Sequence, residues 1–412
     1  MATKLFRSDS FQREFDAVVR EQTTHLGKPA IVLDQTAFYP SAGGQPNDTG
    51  VLGGQNVIDV AERNDGEILH IVENAPVFSV GQLVHGAIFW PRRWDHMQQH
   101  SGQHVLSAAF VQACKLDTIA VHISTDHNTL DLPSGQVSRD QLVAAEELAN
   151  QCIFDDRLFK IYEVTDAGLA AVPLRKVPKV TGLIRIVEVD GFDWSACGGT
   201  HVRSTGQIGM IKIDRADKKG NETRIIFRCG VRALAHYRAL NDLTGRISTE
   251  FNIGPQDLET HMVKLRDESR VLQKQLGDAQ THLLSYEVAE LLSAVSVLDG
   301  DGPRVVVQSL CNRDINQLRA LAKALCEHDG VTALLGSINA EAHKTQLCFA
   351  RSPRLTTDMR VVLKAALASF ADSAANGGGS VDFAQGSAPL SSESMLVEAL
   401  AQARHAVNAH LT

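Results

Sequence analysis

The chain has 412 residues, with 40 Lys and Arg against 48 Asp and Glu for a formal net charge of −8, and 44% of its side chains are hydrophobic. This is the composition of a folded protein with room for roughly two to four domains, and it excludes a disordered chain. The acidic balance argues against non-specific coating of nucleic acid, which depends on many Lys/Arg–phosphate contacts, but leaves room for a local basic patch.

Residues 1–90 carry short alternating apolar runs between turn signals: Ala30–Asp34, Val57–Val60 after a Gly-Gly-Gln-Asn turn, and Ile68–Val72. They predict a small β-barrel-like domain. A helix is predicted from about Trp94 to Ala113, with Asp95 as its N-cap. Strands at Thr118–Ser124 and Thr129–Leu132, a helix over Arg139–Cys152 and further strands to about residue 228 make 91–254 an α/β unit. Within it, Met210–Ile213 and Arg224–Arg228 flank the turn Lys218-Lys219-Gly220-Asn221, a hairpin signal.

Beyond Phe251–Pro255, apolar residues at 258, 262, 265, 272, 276, 279 and 283, broken at Ser269, predict a long amphipathic helix over 255–296. That spacing suits dimerisation, a spacer or intramolecular packing. Residues 297–412 read as a C-terminal α/β domain. Its strands are Arg304–Gln308, Val331–Leu335 and Thr345–Ala350, and its helices Asn316–His328, Asp358–Phe370 and Ser391–Ala409, with a glycine loop before the last. The fold class is α+β throughout.

The seven cysteines are far apart and lack C-x-x-C pairing, which reads as reduced thiols and not as a disulfide framework. The N-terminal segment has no apolar signal-peptide core, and no run approaches the roughly 18 apolar residues of a membrane span. A cytoplasmic protein without membrane contact is expected.

His96, His100 and His104 lie at four-residue spacing on the predicted helix, so His100 and His104 share one face. Cys197-Gly198-Gly199-Thr200-His201 places a thiol and an imidazole across a turn that two glycines allow to be tight. Together they supply the four borderline ligands that a single tetrahedral zinc prefers, with His96 supernumerary. A zinc peptidase would carry Glu directly after the first histidine, where this chain has Ser101. Four protein ligands describe a closed site, so the metal is expected to position substrate or hold the pocket without serving as the base.

Three segments in this order resemble the editing domain of alanyl-tRNA synthetase and the stand-alone alanyl-tRNA editing (AlaX) proteins. They are Thr36 through Gly50 (TAFYPSAGGQPNDTG), Arg92-Arg93 with His100-Ser101-Gly102-Gln103-His104, and Cys197 through Gly209 (CGGTHVRSTGQIG). The likeness spans about residues 1–250. Asn376 through Gly379 and Asp382 through Gly386 resemble the C-terminal domain that the synthetase shares with DHH phosphoesterases, pointing to the long stand-alone form.

The resemblance implies hydrolysis of tRNA(Ala) wrongly charged with serine, and in some members glycine, without ATP. It implies a zinc site at His100, His104, Cys197 and His201, a serine-sensing Thr36, and a pocket loop at Gly43, Gly44 and Gln45. Many members have glycine where Ala42 stands, which leaves serine against glycine preference open.

Ester hydrolysis asks for a positioned water and a stabilised oxyanion more than for a strong base, and backbone N–H groups around Gly43-Gly44-Gln45 are candidates for the second task. For RNA contact the candidates are Arg92, Arg93, Lys218, Lys219 and Arg224, with Arg175, Lys176 and Lys179 as further ones, and Gly377, Gly378 and Gly379 as a backbone nest for phosphate. A homodimer through the helical and C-terminal segments fits the amphipathic stripe. Two other readings stay open: a zinc-containing tRNA-binding or assembly protein without catalysis, and a hydrolase of a different ester.

Overall fold

The computed structural model describes residues 1–178, 181–295, 303–370 and 375–409. The boundary expected at 296/297 lies outside them, as does Lys179. The chain divides into two compact units, Met1–Pro255 and Gln256–Thr412.

The first unit opens with a closed six-stranded barrel of Glu14–His25, Lys28–Leu33, Gly50–Leu52, Gln55–Glu62, Ile68–Val72 and Leu83–Ile88. Alternation drives it: Phe15, Ala17 and Val19 turn inward from Glu14–His25 and meet Ile31, Leu33, Val57, Val60, Ile68, Val72 and Phe38 in the core. The three strands expected from sequence are all in this barrel.

The barrel leads into a helix, Trp90–Cys114, buried without interruption from His96 to Phe110. It begins at Trp90, not Trp94. Phe89 occupies the N-cap without a side-chain bond and Pro91 sits in the first turn, where its missing N–H costs nothing. Asp95 is therefore inside the helix, and its carboxylate pairs with Arg232 at 2.6 Å instead of capping.

A helix enclosed on all sides must satisfy its polar side chains internally. Gln99 donates to Cys229 O at 3.0 Å and Gln98 to Gln207 O at 3.0 Å. Around it lie a four-stranded antiparallel sheet (Ile211–Lys219, Glu222–Cys229, Asn128–Leu132, Ala120–Ile123), a three-stranded sheet (Phe159–Thr165, Leu183–Val189, Asp193–Ala196) and the helix Arg139–Phe154, whose N-terminus is closed by a Ser138/Gln141 capping box. Leu106, Phe110, Leu130, Ala149 and Phe227 form the shared core.

The second unit is a five-stranded sheet in the order Arg304–Cys311, Val331–Asn339, Lys344–Arg351, Phe383–Pro389, Asn376–Gly379. Leu318, Leu321 and Leu325 of the helix Ile315–Cys326 cover one face. Met359–Leu367 and Glu393–Asn408 cover the other. The 37-residue helix Leu258–Ala294 joins the first of these cores only at its end, through Leu284, Val288, Leu291 and Leu292. Met262, Leu272, Leu276 and Leu283 of the predicted stripe remain exposed.

Gly377, Gly378 and Gly379 are not a loop. They form the edge strand Asn376–Gly379, and none of the three has a positive φ, so the backbone nest expected there is absent. At two of the three the reason for glycine is proximity: a Cβ would lie 2.6 Å from Gln385 O at Gly377 and 2.1 Å from Phe383 O at Gly379, whereas at Gly378 it would meet nothing within 4 Å. Among the described residues no helix is long and apolar enough to cross a membrane.

Candidate metal centre

The helix Trp90–Cys114 delivers His100 and His104 one turn apart, and the strand Asp193–Ala196 runs straight into the Cys197–His201 turn. Their ligand atoms all lie within 4.8 Å of one another, and His96 is not among them. Cys197 Sγ is 3.4 Å from Nε2 of His100 and 3.4 Å from Nε2 of His201. Tetrahedral bonds of about 2.0–2.3 Å would separate neighbouring ligand atoms by roughly 3.5 Å, so the spacing fits.

Every histidine of the cluster is oriented by its other nitrogen. His100 Nδ1 donates to Gln45 Oε1 at 2.6 Å and His104 Nδ1 to Asp193 Oδ2 at 3.3 Å, while His201 Nδ1 is hydrogen-bonded to Ser101 Oγ at 3.2 Å. Amide carbonyl and carboxylate oxygens only accept, which fixes the proton on Nδ1 of His100 and His104 and leaves Nε2 to face the centre. Ser101 Oγ also accepts the Val202 N–H at 3.2 Å, tying the helix to the far end of the turn.

These supports extend outward. Asp193 Oδ1 accepts Arg175 Nε at 2.8 Å, and Oδ2 accepts Ser195 Oγ at 2.9 Å. Burial pushes the Asp193 carboxyl up, but His104 and Arg175 hold it at about 2. Burial pushes His104 down, and the bonds to Asp193 and Cys197 reverse this and raise it to about 9. Burial opposes ionisation of Cys197, yet His100 and His104 bring its thiol well below the usual range. A low-pKa thiolate among Nδ1-anchored imidazoles is a donor set suited to a borderline divalent cation, which would displace the Nε2 proton of His104 on binding.

Gly199 makes this packing attainable. A Cβ there would stand 2.1 Å from His100 Cε1, 2.5 Å from its Nδ1 and 2.9 Å from Gln45 Oε1. Gly199→Ala is therefore expected to swing His100 off Gln45 and weaken metal binding by about 10–100-fold, as read by competition with a chromophoric chelator.

A cavity of about 910 Å³ opens over the cluster, with His100, His104, Cys197, Tyr39, Pro40 and Gly43 in its wall. Two comparisons of family profiles match the chain: the second additional domain of threonyl and alanyl tRNA synthetases over residues 184–226, and tRNA synthetases class II (A) over residues 3–92. The alanyl-tRNA editing protein AlaX-L of Pyrococcus horikoshii is 30% identical over 98% of this chain and 99% of its own length. The chain belongs to the AlaX alanyl-tRNA editing protein family. AlaX-M of Methanosarcina acetivorans is 30% identical over 55% of this chain and 98% of its own. The alanine–tRNA ligase of Pyrococcus furiosus is 32% identical over 82% of this chain, which spans 37% of the ligase.

Within this AlaX fold the sequence-derived residues take different places. Gln45 is buried, and besides His100 it holds the Cys197–His201 turn: its Oε1 accepts Thr200 N–H at 3.1 Å and its Nε2 donates to Thr200 Oγ1 at 2.8 Å. Gly43 and Gly44, at φ +56° and +85°, form the tight turn between Ala42 and Gln45. The Gln45 N–H is spent on Ala42 O at 2.9 Å and is not free for an oxyanion.

Thr36 does not border the cavity. It is 0% exposed, and its hydroxyl accepts the Phe38 N–H at 3.1 Å and pairs with His70 Nε2 at 2.7 Å. His70 Nδ1 donates to Ile31 O at 2.9 Å, so the Thr36 O–H is the donor to Nε2. Burial lowers His70 to about 4, keeping it neutral for this task. Sequence reasoning missed His70, Asp193 and Ser195: His70 and Asp193 lie far in sequence from Thr36 and His104, which they bond, and Ser195, bonded to Asp193, carries no spacing rule.

Among the basic candidates, Arg93 is fully buried and cannot meet RNA. Its Nε donates to both oxygens of Asp48 at 3.0 Å, Nη1 to Ser10 O at 2.9 Å and Nη2 to Ala37 O at 2.6 Å. Arg92 is half-buried and holds Asn47 O at 2.8 Å. Arg175 supports Asp193. Lys219 and Arg224 share Asp131 at 2.8 and 2.7 Å, while Lys218 is exposed at the hairpin tip.

Proposed function

We propose that the chain is a cytoplasmic trans-editing hydrolase that deacylates tRNA(Ala) mischarged with serine, and with glycine, holding one zinc ion on His100, His104, Cys197 and His201. The observation that carries this reading is the convergence of four candidate ligands, three of which (His100, His104 and Cys197) line a cavity walled also by the Tyr39-Pro40 and Gly43 loop, in a member of the alanyl-tRNA editing family. Zinc suits the donor set: one thiolate and three imidazoles with anchored Nδ1 atoms. When bound, it supplies a fixed positive centre in the cavity wall.

With four protein ligands, the remaining chemistry falls to the pocket itself. Tyr39 donates its O–H to Ala42 O at 3.1 Å and so fixes the turn carrying Gly43 over the ligands. The backbone amides of Gly43 and Gly44 are the donors proposed for the developing oxyanion. Lys218 and Arg92 are the proposed contacts to tRNA, with weaker roles for Lys219 and Arg224, whose charge Asp131 already offsets. The exposed stripe Met262, Leu272, Leu276 and Leu283 is the surface proposed for a homodimer.

Thr36 acts on selectivity through position. Its hydroxyl pins Phe38, and with it Tyr39 and Pro40 at the cavity. Thr36→Val would leave the Phe38 N–H and His70 Nε2 without partners in a dry core, a loss of about 1–3 kcal/mol. The expected outcome is a fall of about tenfold in seryl-tRNA(Ala) hydrolysis with a matching loss of thermal stability, both restored by Thr36→Ser.

The test of the function is hydrolysis of seryl-, glycyl- and alanyl-tRNA(Ala), with His100→Ala as control. The seryl and glycyl esters should be lost and the alanyl ester spared. Tight tRNA binding with no hydrolysis of any ester would sink the reading in favour of a non-catalytic zinc-containing tRNA-binding protein.

A further inference from the structure

Arg185, on the strand Leu183–Val189, lies in the wall of the metal cavity and is only 4% exposed. Its Nη1 donates to the carbonyls of Cys197 at 2.7 Å and Gly199 at 3.0 Å, and its Nε to Arg7 O at 3.2 Å. Its Nη2 has no hydrogen-bond partner. A buried guanidinium is ordinarily matched by a carboxylate. Here the facing residue across the sheet, Glu163, is exposed, and among the described residues no carboxylate lies within ion-pair distance of Arg185.

Arg7 lines the same wall, is exposed, and likewise makes no ion pair among the described residues. Of the other basic side chains there, Lys4 is taken by Glu62 at 2.7 Å and Arg175 by Asp193 at 2.8 Å, while Lys176 is exposed and makes no ion pair among the described residues. The cavity thus carries Arg185, Arg7 and Lys176 without an ion-pair partner among the described residues, and of these Arg185 is the one that is buried and bonded directly to the backbone of the Cys197–His201 turn.

We infer that Arg185 and Arg7 form a receptor for the phosphodiester that joins the last two nucleotides of the aminoacylated RNA end. The inference rests on the editing function proposed above and specifies its substrate contact. An aminoacyl ester has no carboxylate, and its amino group is cationic. The permanent anion nearest the scissile bond is therefore that phosphate; Arg185 offers it the Nη2 N–H groups, since Nε and Nη1 are spent on backbone carbonyls, and Arg7 offers a planar guanidinium fork that suits two of its oxygens. Arg185 fixes the depth at which the terminal adenosine enters, because the same side chain holds the Cys197 and Gly199 carbonyls. Arg7 adds a second, solvent-side contact. Both are positioning residues.

The experiment compares two small substrates, 3′-O-seryl adenosine and the 3′-O-seryl ester of adenosine 5′-monophosphate, on zinc-loaded full-length protein. Wild type should favour the phosphate-bearing ester by about tenfold or more in kcat/KM, chiefly through KM. In Arg185→Gln and in Arg7→Ala the ratio of the two kcat/KM values should fall towards one. Metal content is measured alongside. If Arg185→Gln loses zinc through its contacts to the ligand turn, Arg7→Ala carries the test, because its side chain bonds nothing in that turn.

Equal use of both esters by wild type overturns the inference, as does an unchanged ratio in Arg7→Ala and in metal-replete Arg185→Gln. An equal fall in kcat on both esters in Arg185→Gln would place the guanidinium at the oxyanion and also overturn it. Failure of the editing function itself is distinguishable, since wild type would then hydrolyse neither ester nor seryl-tRNA(Ala).

Discussion

Cys197→Ala should copurify with little or no zinc and lose about two orders of magnitude or more in seryl-tRNA(Ala) deacylation. The argument is geometric and electrostatic together. Sγ stands 3.4 Å from Nε2 of both His100 and His201, so removing it takes away the donor common to two edges of the ligand tetrahedron. It also removes the only anion in the donor set, leaving three buried imidazoles to hold a dication. Loss of an outer partner typically costs 10–100-fold in metal affinity, and loss of a ligand costs more.

Asp193→Asn is the matched comparison. It keeps an oxygen for His104 Nδ1 but loses the charge, and should fall between wild type and Cys197→Ala in zinc affinity. Because the metal binds the folded state, a chelator should lower the melting temperature of wild type and leave that of Cys197→Ala nearly unmoved. Inductively coupled plasma analysis and a deacylation time course check both halves. Full zinc stoichiometry in Cys197→Ala would remove the thiol from the ligand set and with it the four-ligand site.

The His100, His104, Cys197 and His201 cluster was legible in sequence because each half of it is local. A four-residue helical spacing and a C-x-x-x-H turn need no knowledge of the fold to be recognised. Their supports were not, since Asp193 meets His104 across 89 residues and Gln45 meets His100 across 55. His70 was invisible for the same reason: it sits 34 residues from Thr36, and only barrel closure brings its neutral ring to that hydroxyl. The barrel strands showed themselves through alternation. The edge strand Asn376–Gly379 did not, because four residues with three glycines carry no side-chain period to read.

The expectation for Arg93 failed for a different reason. Neighbouring basic residues look alike in sequence, yet successive positions on a helix point about 100° apart. One can therefore face outward while the other is enclosed, and nothing in the dipeptide says which.

Arg93→Met should reveal that difference, lowering stability by about 3–5 kcal/mol with no direct effect on RNA affinity. Arg93 and Asp48 are both 0% exposed and form a closed ion pair. The guanidinium also satisfies the carbonyls of Ser10 and Ala37, and Asp48 accepts the Tyr39 N–H at 2.7 Å. Methionine fills similar volume but strands a carboxylate and two carbonyls in a dry interior. For a unit of this size the loss corresponds to a melting temperature lower by roughly 10 °C.

Arg93→Lys should recover little, since one ammonium cannot span the carboxylate and both carbonyls. The double variant Arg93→Met with Asp48→Leu should be less damaged than the sum of its single changes, because the buried charge is gone from both sides. The damage should also reach the metal: Ser10 Oγ accepts the His201 N–H at 3.2 Å, and Tyr39 lines the cavity. Thermal melts and zinc titration of the three variants measure this chain of effects. A wild-type melt with weakened tRNA binding would instead return Arg93 to the role of an RNA contact, which its complete burial opposes.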